Sequence, residues 1–201
     1  LALLWAQGRV GAWLVHATAA VALFGLAITL GYFALAASPR ATPWLASIKA
    51  FPENFVGWRE VGDATRTVLA ENPQALPVAD NFLLAAELDF QLGGERPIYA
   101  LDHPLNRKHG RASQLMLWRL DEAGLREHAG APVVLVVEET AGRERERAAW
   151  QTTLVCRIAD LAPVERVTLF DGRKRFAIYR GRVPESTAPA TCAGAVPGQS
   201  S

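Results

Sequence analysis

Charge is what the first part of this sequence lacks. Between Leu1 and Ser38 the only Asp, Glu, Lys or Arg is Arg9, and from Val10 to Ala37 there is none. A membrane-crossing helix needs about 20 predominantly apolar residues, fewer than this stretch supplies. The apolar core of a secretory signal runs to roughly 7–15 residues behind a basic start, whereas this apolar stretch is longer and its basic start is thin. Few buried helices of soluble proteins continue so far without a charge. Residues 10–37 are therefore read as a transmembrane helix. Trp13 and Tyr32 lie towards its ends, where amphipathic aromatics favour the membrane interface, and His16 is read as a neutral interfacial side chain.

Cysteine is scarce. The 2 cysteines, Cys156 and Cys192, lie far apart without a metal-type spacing. Pairing in an oxidising compartment stays open, and the favoured reading is a buried Cys156 with an exposed Cys192 on a loose tail. A bulk field is also missing. The chain carries 21 basic and 20 acidic residues, a net +1, which gives no pull on nucleic acid. Nucleotide fingerprints are absent as well. Gly93-Gly94 follows a helical pattern instead of opening one, so it cannot cradle a phosphate from the strand-to-helix side. No Gly-x-Ser-x-Gly elbow, zinc spacing, P-loop or internal repeat occurs.

What is present falls into five stretches. The chain opens on Leu1 rather than Met and is read as a piece of a longer protein, residues 1–9 being the end of a preceding membrane segment and a turn. After the span at 10–37, residues 38–55 carry Pro39, Pro43 and Pro52 and read as a linker, with Trp44, Leu45 and Ile48 suited to a short helix on the membrane surface. Residues 56–183 form an α/β domain. Residues 184–201, rich in Pro, Ala, Gly and Ser, are expected to be disordered.

Within the domain, Val56–Glu71 shows an amphipathic helical spacing through Trp58, Val61, Thr65 and Val68. The central unit runs from Pro77 to Trp118. Leu76–Ala79 is a short apolar strand, Asp80-Asn81 opens a helix, and Leu84, Leu88 and Leu92 recur at helical spacing until Gly93-Gly94 ends it. Pro97–Leu101 is a second strand, followed by a long polar loop from Asp102. Two strands joined by about a dozen helical residues imply a parallel βαβ unit. Asp121–Gly130 reads as a short helix capped by Asp121. Val133–Val137 reads as a strand buried on both faces, and Ala141–Ala159 as a helix. Val164–Phe170 and Arg175–Val183 alternate around Asp171-Gly172, a hairpin signal. The fold class is thus α/β: an N-terminal transmembrane helix, then a small mixed, mostly parallel sheet of about five strands with flanking helices and a C-terminal hairpin.

Ligands of such sheets bind beyond the carboxyl ends of the strands. Three acidic groups fall there: Asp80, Asp102, and Glu138 with Glu139. They suit sugar hydroxyls, a metal or a cationic group, or else cap a helix and sit as solvated strand ends. The loop Asp102–Arg111 offers Arg107, Lys108 and Arg111 to phosphate, and His103 and His109 as acid or base near neutrality; the alternative is a flexible basic loop. Arg173-Lys174-Arg175 reads as a basic knob at a turn, available to anionic headgroups.

The motifs come in a recognisable order. Gly57-Trp58 opens the first helix of the domain. Ala79-Asp80-Asn81-Phe82, Ala85-Ala86-Glu87-Leu88-Asp89-Phe90, Pro97-Ile98-Tyr99 and Gly110-Arg111-Ala112-Ser113-Gln114 follow, running on to Trp118. From Val10 to Val183 this series resembles the C-terminal end of bacterial family 39 glycosyltransferases, polytopic enzymes related to dolichyl-phosphate-mannose protein mannosyltransferases and to the aminoarabinose transferase of lipid A. Phe82 stands where the family's pattern has Tyr, and Leu115-Met116 where it has Tyr-Asp. The resemblance implies transfer of a sugar from a polyprenyl-phosphate donor to a lipid, glycan or protein acceptor. It places the chain in a bacterial plasma membrane with the domain outside the cytoplasm. Substrate contacts are expected at Asp80, Asn81, Asp102, His103, Asn106, Arg111, Gln114 and Trp118. The family's catalytic acids lie in an N-terminal extracytoplasmic loop that no residue here matches. No catalytic residue is carried over, and this piece alone is expected to be inactive. No cofactor is identified, and a divalent cation in the full-length enzyme stays open. Two other readings remain: a membrane-anchored glycan- or protein-binding module, and a self-contained α/β enzyme using Asp80, Asp102 and His103.

Overall fold

The computed structural model describes residues 8, 11–38, 40, 41, 44, 56–140 and 144–185. The expectations for residues 1–7, for the surface helix beyond Trp44 and for the C-terminal tail with Cys192 fall outside them. The chain divides into two compact units, Leu1–Val56 and Gly57–Ser201.

The described part of the first unit is dominated by one helix, α1 (Ala12–Ala36). At 1.5 Å per residue its 25 residues span about 37 Å, against about 30 Å of bilayer hydrocarbon. It is long and apolar enough to cross a membrane. Its large side chains point outwards; Phe24, for example, is 68 % exposed. Three of its polar side chains bond carbonyls within the helix. Thr18 and Thr29 donate to the carbonyls of Leu14 and Gly25, and His16 Nδ1 lies 2.7 Å from the Ala12 carbonyl. Side chains that bond back to the helix's own carbonyls suit an apolar surrounding.

The second unit is a five-stranded sheet with helices on both faces. Its elements are α2 (Trp58–Glu71), β1 (Leu76–Ala79), α3 (Phe82–Gln91), β2 (Tyr99–Ala100), α4 (Pro104–Lys108), α5 (Ala112–Trp118), α6 (Glu122–Arg126), β3 (Pro132–Glu138), α7 (Glu144–Arg157), β4 (Ala159–Leu169) and β5 (Lys174–Arg182). The strand order is β2-β1-β3-β5-β4. β1 pairs in parallel with β2 and β3, whereas β5 runs antiparallel to both β3 and β4. The expectation of a mostly parallel sheet is corrected: the sheet is mixed, and its longest ladders are antiparallel. The reason is strand length. β2 pairs over only two residues, while β5 pairs along its length on both sides.

Val133–Val137 is buried throughout, so β3 feeds two cores. Val134 and Val136 face one core with Trp58, Val61, Leu84, Leu88 and Phe176. Val133, Leu135 and Val137 face the other with Leu101, Leu125, Trp150 and Leu154. That alternation is the period-2 geometry of a strand covered on both sides.

Three local readings change. The segment after Asp102 is not a single loop, since it folds into α4 and α5. Pro104 supplies a fixed φ at the first helical position and His103 Nδ1 accepts from the Leu105 N–H as cap. The helix expected to reach Ala159 stops at Arg157, and Ala159 begins β4. β4 is an outer strand, which tolerates Pro163 and two register shifts. Cys156 is half-buried and disulfide-bonded instead of a buried free thiol.

Candidate functional site

The carboxyl ends of the three parallel strands carry Asp80 after β1, Asp102 after β2 and Glu138 at the end of β3. Asp80 and Glu138 sit on neighbouring strands. The Asp80 N–H donates to the Val136 carbonyl at 3.0 Å, one step beyond the Ala79↔Val136 register pair. Both carboxyls are buried. Asp80 accepts from Asn81 Nδ2 at 2.7 Å. Desolvation, and then the charge of Glu138, push its pKa well above the ordinary range.

Glu138 is held by a cation. Lys174 Nζ lies 2.7 Å from its carboxylate, with the two side chains 3 % and 7 % exposed. The same ammonium sits 4.3 Å from the centroid of the Trp58 ring and 5.4 Å from that of Phe176. Lys174 therefore does not belong to an exposed basic knob, and Glu138 is not a solvated strand end. On β5 the side chains of Lys174, Phe176 and Ile178 share the inward face. That alternation, visible in the sequence, was the signal for a buried lysine. Gly57 makes room for the cluster. Its φ of +86° is left-handed, and a Cβ there would meet Leu169, Lys174 and Phe176 at 3.0–3.4 Å.

Asn106 ties this interior to the segment above it. Its Oδ1 accepts from the Phe82 N–H at 2.9 Å, and its Nδ2 donates to the Leu101 carbonyl at 2.8 Å. Asn81 Oδ1 accepts from the Leu83 and Leu84 N–H groups. Asn81, not Asp80, is thus the cap of α3. Asp80, Asn81 and Asn106 are each at most 3 % exposed, so all three are enclosed and their amides are committed to the chain's own groups.

A second polar cluster underlies Asp102. Glu122 is buried, accepts from the Asp102 N–H at 3.2 Å and from Arg126 at 2.8 Å, and pairs with Arg157. Arg157 lies over the Trp150 ring at 4.6 Å, and His103 meets that ring edge-on at 4.4 Å. Desolvation and then Arg157 lower the His103 pKa to about 4. That shift moves His103 away from the near-neutral range expected of an acid–base group. Asp102 is shifted upward by desolvation, Glu122 and Asp121. Nothing in the local sequence marked Glu122 and Arg157 as partners, since they meet only through the packing of α6 against α7.

Asp102, His103, Asn106, Arg107, Ser113 and Met116 line a cleft of about 220 Å³. Arg111 and Gln114 face outside it and bond each other at 3.2 Å; Trp118 is 57 % exposed at the end of α5. Of the expected contacts, Asp102, His103 and Asn106 come together, whereas Arg111, Gln114 and Trp118 form a separate outer row. Among the described residues no group of three His, Cys, Asp or Glu side chains is placed to hold a metal ion. Comparison with family models, curated proteins and solved structures gave no match.

Proposed function

We propose that the chain is the last membrane helix and the extracytoplasmic α/β domain of a polytopic glycosyltransferase in a bacterial plasma membrane. The transferred sugar comes from a polyprenyl-phosphate donor and goes to a lipid, glycan or protein acceptor. The observation that carries this reading is one chain holding both a 25-residue uncharged, outward-facing helix and an α/β domain with the ordered motifs. Asp80 and Asn81 from those motifs bond each other at the carboxyl end of β1, and Asn106 accepts from the Phe82 N–H beside them. In this reading the three hold the segment after β2 in place, and the exposed Asp102 and Arg111, with the half-buried Gln114, meet donor phosphate or acceptor, arginine offering its planar fork. Catalysis is assigned to a part of the protein outside this sequence.

The test is sugar transfer by the complete protein in native membranes, using labelled polyprenyl-phosphate sugars, with protease accessibility of the domain measured from each side. Transfer lost on deleting residues 57–185, and digestion from the outer side alone, are the expected results. A domain facing the cytoplasm, or no transfer from any such donor, overturns it. The cleft lined by Asp102, His103 and Arg107 favours one second reading, an anchored glycan- or protein-binding module. In that case substituting Arg111 and Gln114 abolishes binding and leaves any sugar transfer untouched.

A further inference from the structure

The stretch from His103 to Arg119 (HPLNRKHGRASQLMLWR) contains four Arg or Lys residues and no Asp or Glu. In a chain with nearly equal numbers of both signs that is a local excess. Arg107, Lys108, His109, Gly110 and Arg111 are all exposed, and so are Met116, Leu117 and Trp118 in the last turn of α5. Those three apolar side chains are 64 %, 79 % and 57 % exposed, although the opposite side of the same helix buries Leu115 in the core. Arg119 is engaged by Glu127, which leaves Arg107, Lys108 and Arg111 as the cations this segment offers outward. A short helix showing three consecutive large apolar side chains, preceded by cations, has the chemistry of a segment that rests in a headgroup layer. The apolar tips enter the acyl boundary and the cations meet lipid phosphates.

The chain itself supplies the surface. Roughly 20 residues separate the end of α1 from the domain, and even fully extended they reach at most about 70 Å. A tether of that length keeps the domain at high effective concentration over the bilayer, so a weak surface contact is enough. We propose that the Arg107–Trp118 face docks on an anionic lipid surface, with Met116, Leu117 and Trp118 inserted and Arg107, Lys108 and Arg111 on headgroup phosphates. The proposal rests on reading α1 as membrane-spanning. It commits to lipid because the cations and the exposed apolar row are neighbours on one segment, whereas a protein partner would need no net positive charge there.

The test is hydrogen exchange on the full chain reconstituted in nanodiscs of phosphatidylcholine alone or with 30 % phosphatidylglycerol. Each basic residue near an anionic surface multiplies the docked-to-free ratio by about fivefold, so three give on the order of 100-fold. Amides of α5 are expected to exchange at least about tenfold more slowly in the anionic discs. That protection is expected to disappear in R107Q/K108Q/R111Q and to weaken in W118S, whose exposed position spares the fold. The amides of residues 12–36 report the anchor separately. Free exchange there overturns the membrane reading and this proposal together. A protected helix with unchanged 107–119 exchange overturns the surface alone. Protection of 107–119 that ignores lipid charge and survives the triple substitution assigns the face to a protein partner and also overturns it.

Discussion

The Lys174 ammonium lies 2.7 Å from the Glu138 carboxylate in the interior of the domain, roofed by the Trp58 ring at 4.3 Å. Glu138 also acts on the buried Asp80 carboxyl, whose pKa its charge helps to raise, so the ion pair lies beside a second acid at the carboxyl ends of β1 and β3. Taking one partner away leaves a buried charge without compensation, and such changes cost about 3–5 kcal/mol. Lys174→Met is expected to destabilise by about that amount in denaturant titrations of the micelle-solubilised chain. Adding Glu138→Leu is expected to recover most of the loss, because an apolar pair of similar volume no longer strands a charge. Simple additivity of the two changes would contradict the pairing.

Asp80 gives a pH signature. Its folded pKa is raised, so above the ordinary carboxyl value of 3.8 the folded state holds a proton that the unfolded chain releases. Stability from this group is complete below that value and falls as pH rises towards the folded pKa. Asp80→Asn imitates the protonated form. It is expected to be more stable than wild type at neutral pH, with the advantage vanishing below about pH 4. An advantage that stays constant with pH would exclude Asp80 as its source.

His103 slopes the other way. Its pKa is lowered from 6.5 to about 4, so between those values the unfolded chain takes up a proton that the folded one refuses. Stability is retained above pH 6.5 and lost as pH falls towards 4. Because the Asp80 slope opposes it over part of this window, the informative quantity is the difference between wild type and His103→Asn, which keeps a capping acceptor. That difference is expected to grow below pH 6.5. Proton NMR of the imidazole checks the same point directly, and a titration midpoint near 6.5 would contradict the buried placement.

Asn106 bridges the Phe82 N–H and the Leu101 carbonyl. Asn106→Ala strands the Phe82 N–H, whereas the Leu101 carbonyl keeps the His103 N–H at 2.7 Å, and at about 1–3 kcal/mol for a buried unsatisfied group a loss of about 1–3 kcal/mol is expected in thermal melts. Exchange is expected to speed up first at the start of α3 and in α4, where the bridge is anchored. Uniform acceleration across the sheet would argue against so local a role.

Much of the site was within reach of local pattern, and part of it was not. Asp80, Asp102 and Glu138 were placed by strand ends alone, because a strand's terminus is marked by where its apolar run stops. Asp121 announced itself as a cap by preceding helical spacing, and the pair Asp80-Asn81 marked the start of α3 without saying which of the two caps it. Lys174 was misread as exposed because it sits in a run of basic residues beside a turn, although the alternation through Phe176 and Ile178 put it on the inward face. The helices after Asp102 were hidden by their shortness. Five and seven residues give too few turns for a period to emerge from polar sequence. The extent of antiparallel pairing was hidden for another reason: β5 has two neighbours, and pairing partners are a property of the sheet.

The sequence by itself determined the uncharged helix, the burial of β3 on both faces and the helix–strand order, since these depend on hydrophobic period and on the absence of charge within a few neighbouring residues. Only the tertiary structure decided which carboxylates lose water, which cation reaches them, and which amides are used up inside. Those outcomes depend on contacts between residues far apart in the chain, such as Lys174 with Trp58 and Arg157 with Glu122, and the dielectric around a charge is set by everything that packs against it.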